Sequence, residues 1–200
     1  MTIDTVIFDL GRVLINWYPY KYMKEKFGED LAEKLNKAIF NATEWNLMDK
    51  GLLSEEELWN LHLKRFPDLK FYIEHLKSKV TEFLTPIEDN IKLIPKLKEK
   101  GYRLFILSNF SKNSFEAIYK KYDFFNYFDG MVISSHHKTV KPEKKIYQIL
   151  IEKYNITPST SLFIDDKIEN INTARELGFS TIHLENPLEL KKQLKNMMII

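Results

Sequence analysis

Thr5-Val6-Ile7-Phe8-Asp9-Leu10-Gly11-Arg12-Val13-Leu14 opens on four β-branched or aromatic residues and changes character abruptly at Asp9. So short and unbroken an apolar run suits a strand buried on both faces of a parallel sheet. The pattern recurs downstream. Leu104 to Leu107 stops at Ser108-Asn109, Met131 to Ile133 at Ser134-Ser135, Ser161 to Ile164 at Asp165-Asp166, and Ser180 to Leu184 at Glu185-Asn186. Helix-like stretches at 88–100, 111–122, 143–153, 167–177 and 188–198 alternate with these runs. Strands alternating with helices predict an α/β fold, a Rossmann-like doubly wound parallel sheet. Pro95 lies inside the first of those helices and predicts a kink or a restart, because it removes a backbone bond.

In open parallel sheets, ligands bind beyond the carboxyl ends of the strands, where the loops converge. Asp9, Ser108, Asn109, Asp165 and Asp166 all fall at that edge. Each has a plainer explanation when taken alone. An Asp after a strand forms turns, Ser108-Asn109 can start a helix, and Lys141-Pro142 can be a loop entering one. Asp165-Asp166 is harder to set aside, since adjacent carboxylates repel unless a cation or a base neutralises them.

Between Pro19 and Phe83 no strand pattern occurs. Gly28, Gly51 and Pro67 divide this stretch into roughly four helices, and Ser54 with Glu57 forms a capping box. An all-helical insert after the first strand predicts a small cap over the strand ends. Residues 1–16 and 86–200 then form the catalytic core and 17–85 the helical cap domain. Lids choose leaving groups by closing over the chemistry, so Trp45, Asp49 and Lys50 are the cap candidates for substrate selection. His62 and His75 are expected on helix surfaces, His136-His137 in a solvated loop, and Trp17, Tyr18 and Tyr20 in ordinary packing.

Thirty Lys and Arg against 28 Asp and Glu leave a net charge of +2, which offers no argument for nucleic acid or an acidic membrane surface as partner. The absence of cysteine excludes disulfides, thiolate metal sites and a Cys nucleophile. Asp4, Asp9 and Arg12 break the first apolar stretch well short of the ~20 residues that span a bilayer, and no export signal is apparent. The expectation is a cytoplasmic monomer or homodimer, with Met197 to Ile200 tucking the last helical turn onto the body.

Together and in this order, the motifs resemble those of the haloacid dehalogenase-like hydrolase superfamily. Phe8-Asp9-Leu10-Gly11-Arg12-Val13-Leu14 is similar to its first motif, Leu107-Ser108-Asn109 to the second, Lys141-Pro142-Glu143 to the third, and Phe163-Ile164-Asp165-Asp166 with Asn170 to the fourth. The subgroup it resembles holds bacterial sugar-1-phosphate phosphatases and the N-terminal phosphatase domain of soluble epoxide hydrolases. The resemblance implies a Mg²⁺-dependent phosphatase acting on a small phosphorylated metabolite through an aspartyl-phosphate on Asp9. It implies Ser108 and the Asn109 backbone on phosphate oxygens, and Lys141 as a positive charge against phosphate and Asp9. Mg²⁺ would be held by Asp9, the carbonyl of Gly11 and Asp166, with Asp165 as a ligand directly or through a water.

One departure matters. Where the family's phosphatases usually carry a second Asp as general acid, two positions after the nucleophile, this chain has Gly11. Such a group is worth about 10²–10⁴-fold, so its loss favours an acidic leaving oxygen, and a sugar 1-phosphate is the preferred substrate. The superfamily's 2-haloacid dehalogenases also lack that Asp, and a catalytically weak binding or scaffold protein is a further alternative. Nothing in the pattern explains Arg12.

Overall fold

The structure is a computed structural model and describes residues 2–200. Its five parallel strands are β1 (Thr5–Phe8), β2 (Arg103–Ser108), β3 (Gly130–Ile133), β4 (Ser161–Asp165) and β5 (Ser180–His183), in the spatial order β3-β2-β1-β4-β5. From β1 the chain winds outward through β2 and β3, then returns to the other side of β1 for β4 and β5. That reversal opens a crevice at the carboxyl ends of β1 and β4. Phe8 pairs with both Ile106 and Ile164, so Asp9 and Asp165 leave the sheet level with one another and Ser108 one residue further along.

The three central strands, β1, β2 and β4, are buried on both faces, which is why their runs are continuous rather than alternating, whereas the edge strands β3 and β5 are partly exposed. Val6, Phe8, Leu104, Ile106, Leu162 and Ile164 pack on one side, against Leu93, Ile94 and Leu97 among others. Ile7, Phe105, Leu107 and Phe163 pack on the other, against Ile146, Tyr147, Leu150 and Ile171. Pro95 restarts its helix. The segment splits into Glu88–Ile91 and Leu93–Glu99, because a proline at 95 has no N–H for the carbonyl of Ile91. Asn90, buried just before the break, donates to the carbonyls of Val13 (2.7 Å) and Pro187 (3.0 Å), tying the loop after β1 to this helix. At the end of the chain Ile199 is buried whereas Met198 points to solvent, so only part of that apolar tail tucks in.

The insert contains five α-helices rather than four: Pro19–Phe27, Glu29–Leu35, Thr43–Asp49, Glu55–Arg65 and Lys70–Lys79. The additional break falls at Asn41-Ala42, after a π-helical turn at Asn36–Phe40, where no Gly or Pro announces it. The capping box forms as expected: Ser54 Oγ accepts from the Glu57 amide at 3.2 Å, and Glu57 Oε2 accepts from the Ser54 amide at 2.8 Å. Met23, Leu35, Ile39, Leu58, Trp59, Ile73 and Leu76 give the insert a core of its own. No helix among the described residues is long and apolar enough to cross a membrane.

His62 is not on a helix surface. Its spacing from Leu58 and Trp59 places it on the inward stripe, where it is fully buried and neither ring nitrogen has a hydrogen-bond partner. Burial, reinforced by Arg65 and opposed by Glu44, holds its pKa below the usual value. The unfolded chain therefore takes up a proton before the native one does, and stability drains away as pH falls through about 6.5. His62→Leu is expected to raise stability by about 1–3 kcal/mol and to flatten its decline between about pH 7 and pH 5. Urea melts across that range provide the check, and an unaltered pH slope would refute the cost assigned to the ring.

Candidate active site

The loop after β1 is tightly wound. The Leu10 carbonyl accepts from the amides of Val13, Leu14 and Ile15, and Arg12 takes a left-handed backbone (φ 58°) to make the turn. Asp9 is fixed at its head. Its Oδ1 accepts from the Leu10 amide (2.7 Å), from Ser108 Oγ (2.7 Å) and from Lys141 Nζ (2.9 Å). Three donors on one oxygen set the rotamer, and Oδ2 has no partner among the described residues.

Lys141 is only 3% exposed and lies between Asp9 and Asp165, 2.6 Å from Asp165 Oδ2. Burial works against its charge, but the two carboxylates outweigh it and raise the pKa, so it stays an ammonium. Asn109 holds its backbone in place. The Asn109 side chain accepts from the Lys141 amide (2.8 Å) and donates to the Lys141 carbonyl (2.9 Å).

The adjacent acids are not equivalent. Asp165 is fully buried, with both oxygens engaged by the Lys167 amide (2.8 Å), Asn170 Nδ2 (2.9 and 3.1 Å) and Lys141. Asp166 has only Arg12, at 3.3 Å. Burial first, then Asp9 and Asp165, push its carboxyl up to about 6, against the pull of Arg12 and Lys141. One oxygen from each of Asp9, Asp165 and Asp166 lies within 4.8 Å of the others. A crowded carboxylate cluster short of positive charge, with uncommitted oxygens on Asp9 and Asp166, is a donor set that fits a hard divalent cation such as Mg²⁺. A Cβ built on Gly11 meets nothing within 4 Å, so the position holds space and no acid.

Over this cluster lies a cavity of about 520 Å³ shared by core and insert. Trp17, Phe40 and Trp45 form an aromatic wall within it, with Trp45 5.8 Å from Trp17 and 4.8 Å from Phe40 between ring centres. Trp17 thus faces the cavity as well as packing. Asp49 lines the cavity too, whereas Lys50 turns away to pair with Glu143 at 2.5 Å. His136 and His137 end a single helical turn, Ser134–His137, rather than lying in an irregular loop.

Ser134, which begins that turn, is a structural residue that motif matching missed; its place at the end of β3 was the available signal. Its buried hydroxyl accepts from the Phe110 amide (2.9 Å) and donates to the Asp49 carbonyl (2.5 Å). Gly51 lies so close to the same turn that a Cβ there would fall 2.3 Å from the Ser135 carbonyl oxygen, and its φ of +69° also demands glycine. Nearby, Glu55 accepts from Ser111 Oγ (2.5 Å) and from the amide (2.9 Å) and hydroxyl (2.8 Å) of Ser114, at the start of helix Lys112–Lys121. The insert is bolted to the core along one side by 49–55.

Among curated relatives, the chain is 26% identical to the D-ribitol-5-phosphate phosphatase of Bacteroides thetaiotaomicron, over 96% of this chain and 97% of that one. It is 22% identical to the sesquiterpene phosphatase astK of Aspergillus oryzae, over 98% and 97%. The chain spans only 36% of the drimenol cyclase drtB of Aspergillus calidoustus, to which it is 24% identical. A haloacid dehalogenase-family enzyme of Bacteroides thetaiotaomicron, solved with magnesium and inorganic phosphate, superposes with a TM-score of 0.68 at 26% identity, covering 90% of this chain and 93% of that one. The haloacid dehalogenase-like hydrolase family matches residues 3–184, which takes in all five strands and the whole helical insert. A match of that extent, on a sheet that gathers the four motifs at one edge, makes this chain a member of the haloacid dehalogenase-like hydrolases.

Proposed function

We propose that this hydrolase is a Mg²⁺-dependent phosphatase. It hydrolyses a small phosphorylated metabolite, by preference a sugar 1-phosphate, through an aspartyl-phosphate on Asp9. Residues 17–85 serve as its cap, and 1–16 with 86–200 as its catalytic core. The observation that carries this is the asymmetry of Asp9, with Oδ1 held by three donors and Oδ2 uncommitted, in a carboxylate cluster with Asp166, whose one partner is Arg12.

A carboxylate attacking a phosphate dianion needs the repulsion between them removed. Lys141 brings one positive charge to that point, held there by Asp165 and by the clamp of Asn109. Asp9, the Gly11 carbonyl and Asp166 would hold Mg²⁺, which when bound supplies further charge neutralisation at the phosphoryl oxygens. With substrate bound, the Asn109 amide donates to one non-bridging oxygen, and Ser108 Oγ turns its single proton from Asp9 Oδ1 to another, leaving Oδ1 with the Leu10 amide and Lys141. Asp9 Oδ2 forms the bond to phosphorus as the leaving oxygen departs, and water then hydrolyses the acyl phosphate. Asp165, its oxygens already engaged, acts as the counter-charge that holds Lys141 rather than as a direct ligand.

The aromatic wall supports the substrate class, since Trp17, Phe40 and Trp45 offer flat faces for the C–H side of a sugar ring. Val80, Leu84 and Phe110 extend the same wall with apolar surface. That extension favours a second reading, a phosphate ester of an apolar alcohol. Dehalogenation at carbon requires no metal and leaves the crowding of Asp166 without a purpose. The test is p-nitrophenyl phosphate hydrolysis with Mg²⁺ and with excess chelator, by the wild type and Asp166→Ala. Mg²⁺-dependent turnover that drops by about 10³-fold or more in the variant is the expected result. Turnover indifferent to Mg²⁺ in both proteins overturns the metal assignment. Turnover of a 2-haloacid instead identifies a dehalogenase, and turnover of neither points to a binding or scaffold role.

A further inference from the structure

The core lacks an acid at Gly11, yet the cavity above Asp9 contains another carboxyl group, supplied by the insert. Asp49 lines that cavity together with Asp9, Lys141 and Asp166. Its carboxylate has no hydrogen bond or ion pair among the described residues, which is unusual for a side chain at a crowded junction. Asp49 is also the last residue of helix Thr43–Asp49, where the carbonyl end of the helix disfavours a negative charge.

Its position is fixed from three consecutive residues. The Asp49 carbonyl accepts from Ser134 Oγ, Lys50 pairs with Glu143, and Gly51 sits against the Ser135 backbone. Ser134 in turn binds the Phe110 amide, two residues beyond Ser108, and Glu143 follows Lys141 by two. An insert residue is thereby held in register with the core loops that carry the site. Among the charged groups around it, Lys167 comes from the loop after β4, Asp9 from the loop after β1 and Glu55 from the insert, while its neighbour Lys50 is occupied by Glu143.

We propose that Asp49, on the insert, is the general acid–base of the reaction, replacing the acid missing at Gly11. The proposal rests on the phosphatase reading above and adds to it the proton donor. As Asp9 Oδ2 bonds to phosphorus, the bond from phosphorus to the ester oxygen breaks and its electron pair goes to that oxygen. Asp49 gives the oxygen a proton, and the alcohol leaves. Asp49, now a carboxylate, takes a proton from water as the water oxygen attacks phosphorus. The bond to Asp9 breaks, returning its electron pair to the Asp9 carboxylate, and inorganic phosphate is released with Asp49 protonated again. Net consumption is one ester and one water per alcohol and phosphate. Burial, with Asp9 and Glu55 pushing the same way and Lys167 opposing, raises the Asp49 carboxyl to about 7, a value suited to exchanging a proton in both directions near neutrality.

The test compares kcat/KM for p-nitrophenyl phosphate and for an alkyl phosphate in the wild type and in Asp49→Asn, with circular dichroism and melting to check the fold. For the alkyl ester, whose leaving oxygen needs a proton, kcat/KM is expected to fall about 10²–10⁴-fold. For the aryl ester the loss should be at least ten times smaller, about the difference that leaving-group acidity makes. The alkaline limb of the alkyl profile should disappear in the variant. Gly11→Asp in the Asp49→Asn background should recover part of the alkyl activity, since position 11 has room for a side chain. Equal losses on both esters, or none on either, overturn the proposal while leaving the nucleophile and metal assignments intact. A wild type inactive on p-nitrophenyl phosphate would instead strike the phosphatase reading itself.

Discussion

Lys141→Met is expected to destabilise the protein by about 3–5 kcal/mol and to abolish turnover, because it removes a buried ammonium from between two carboxylates. Methionine fills similar space, so the loss comes from charge rather than from a cavity. Asp9 and Asp165 would then face one another uncompensated in a site where Asp165 is fully buried. Proton uptake is their only relief. In the variant their folded pKa values lie above the unfolded ones, so the native state binds more protons and stability falls as pH rises. The deficit relative to wild type should therefore shrink as pH drops toward about 4–5. Urea melts at several pH values provide the measurement. A loss below about 1 kcal/mol at neutral pH would mean that the pair contributes little beyond its own desolvation.

Asp9→Asn is expected to eliminate turnover as well, by about 10⁴-fold or more, but with the opposite effect on stability. The amide is nearly isosteric, and its oxygen can keep the bonds from Leu10, Ser108 and Lys141. What disappears is one of three carboxylates packed within 4.8 Å of each other. Without Mg²⁺ the variant should be as stable as the wild type or more so, by about 1 kcal/mol, as expected where function is built from repulsive groups. Addition of Mg²⁺ should raise the melting temperature of the wild type more than that of the variant. Residual turnover within about tenfold of wild type would remove Asp9 from the nucleophile's role.

The contrast between these variants also explains what was legible in the sequence. The central strands β1, β2 and β4 are buried on both faces, so their apolar runs could be read without knowing their neighbours, and the polar residue ending each marked the site edge. Asp9, Ser108, Asp165 and Asp166 were found that way, Lys141 came only from the motif resemblance, and all five converge. The difference between Asp165 and Asp166 was not legible, because it depends on Asn170, the Lys167 amide and Lys141 all reaching the first of the two. Nor was the role of the Asn109 side chain, which clamps a residue 32 positions away. In the helical insert, composition could show that helices form but not which way each side chain turns. His62 looked like any polar residue on an amphipathic helix, and the break at Asn41-Ala42 carries no Gly or Pro.

The attachment along 49–55 has a consequence for how this enzyme could diversify. Trp17, Phe40 and Trp45, which line the cavity above Asp9, precede the anchored segment in the chain, while Asp49 belongs to it. Trp17 and Phe40 take no part in the bonds that hold 49–55 against the core, so substitutions there can reshape the pocket without disturbing those bonds, whereas Trp45 shares its helix with Asp49. On the proposals above, selection of the alcohol by Trp17 and Phe40 and proton delivery by Asp49 fall on separable stretches of one small insert, so the pocket can change while Asp9, Lys141 and the carboxylates of the core stay in place.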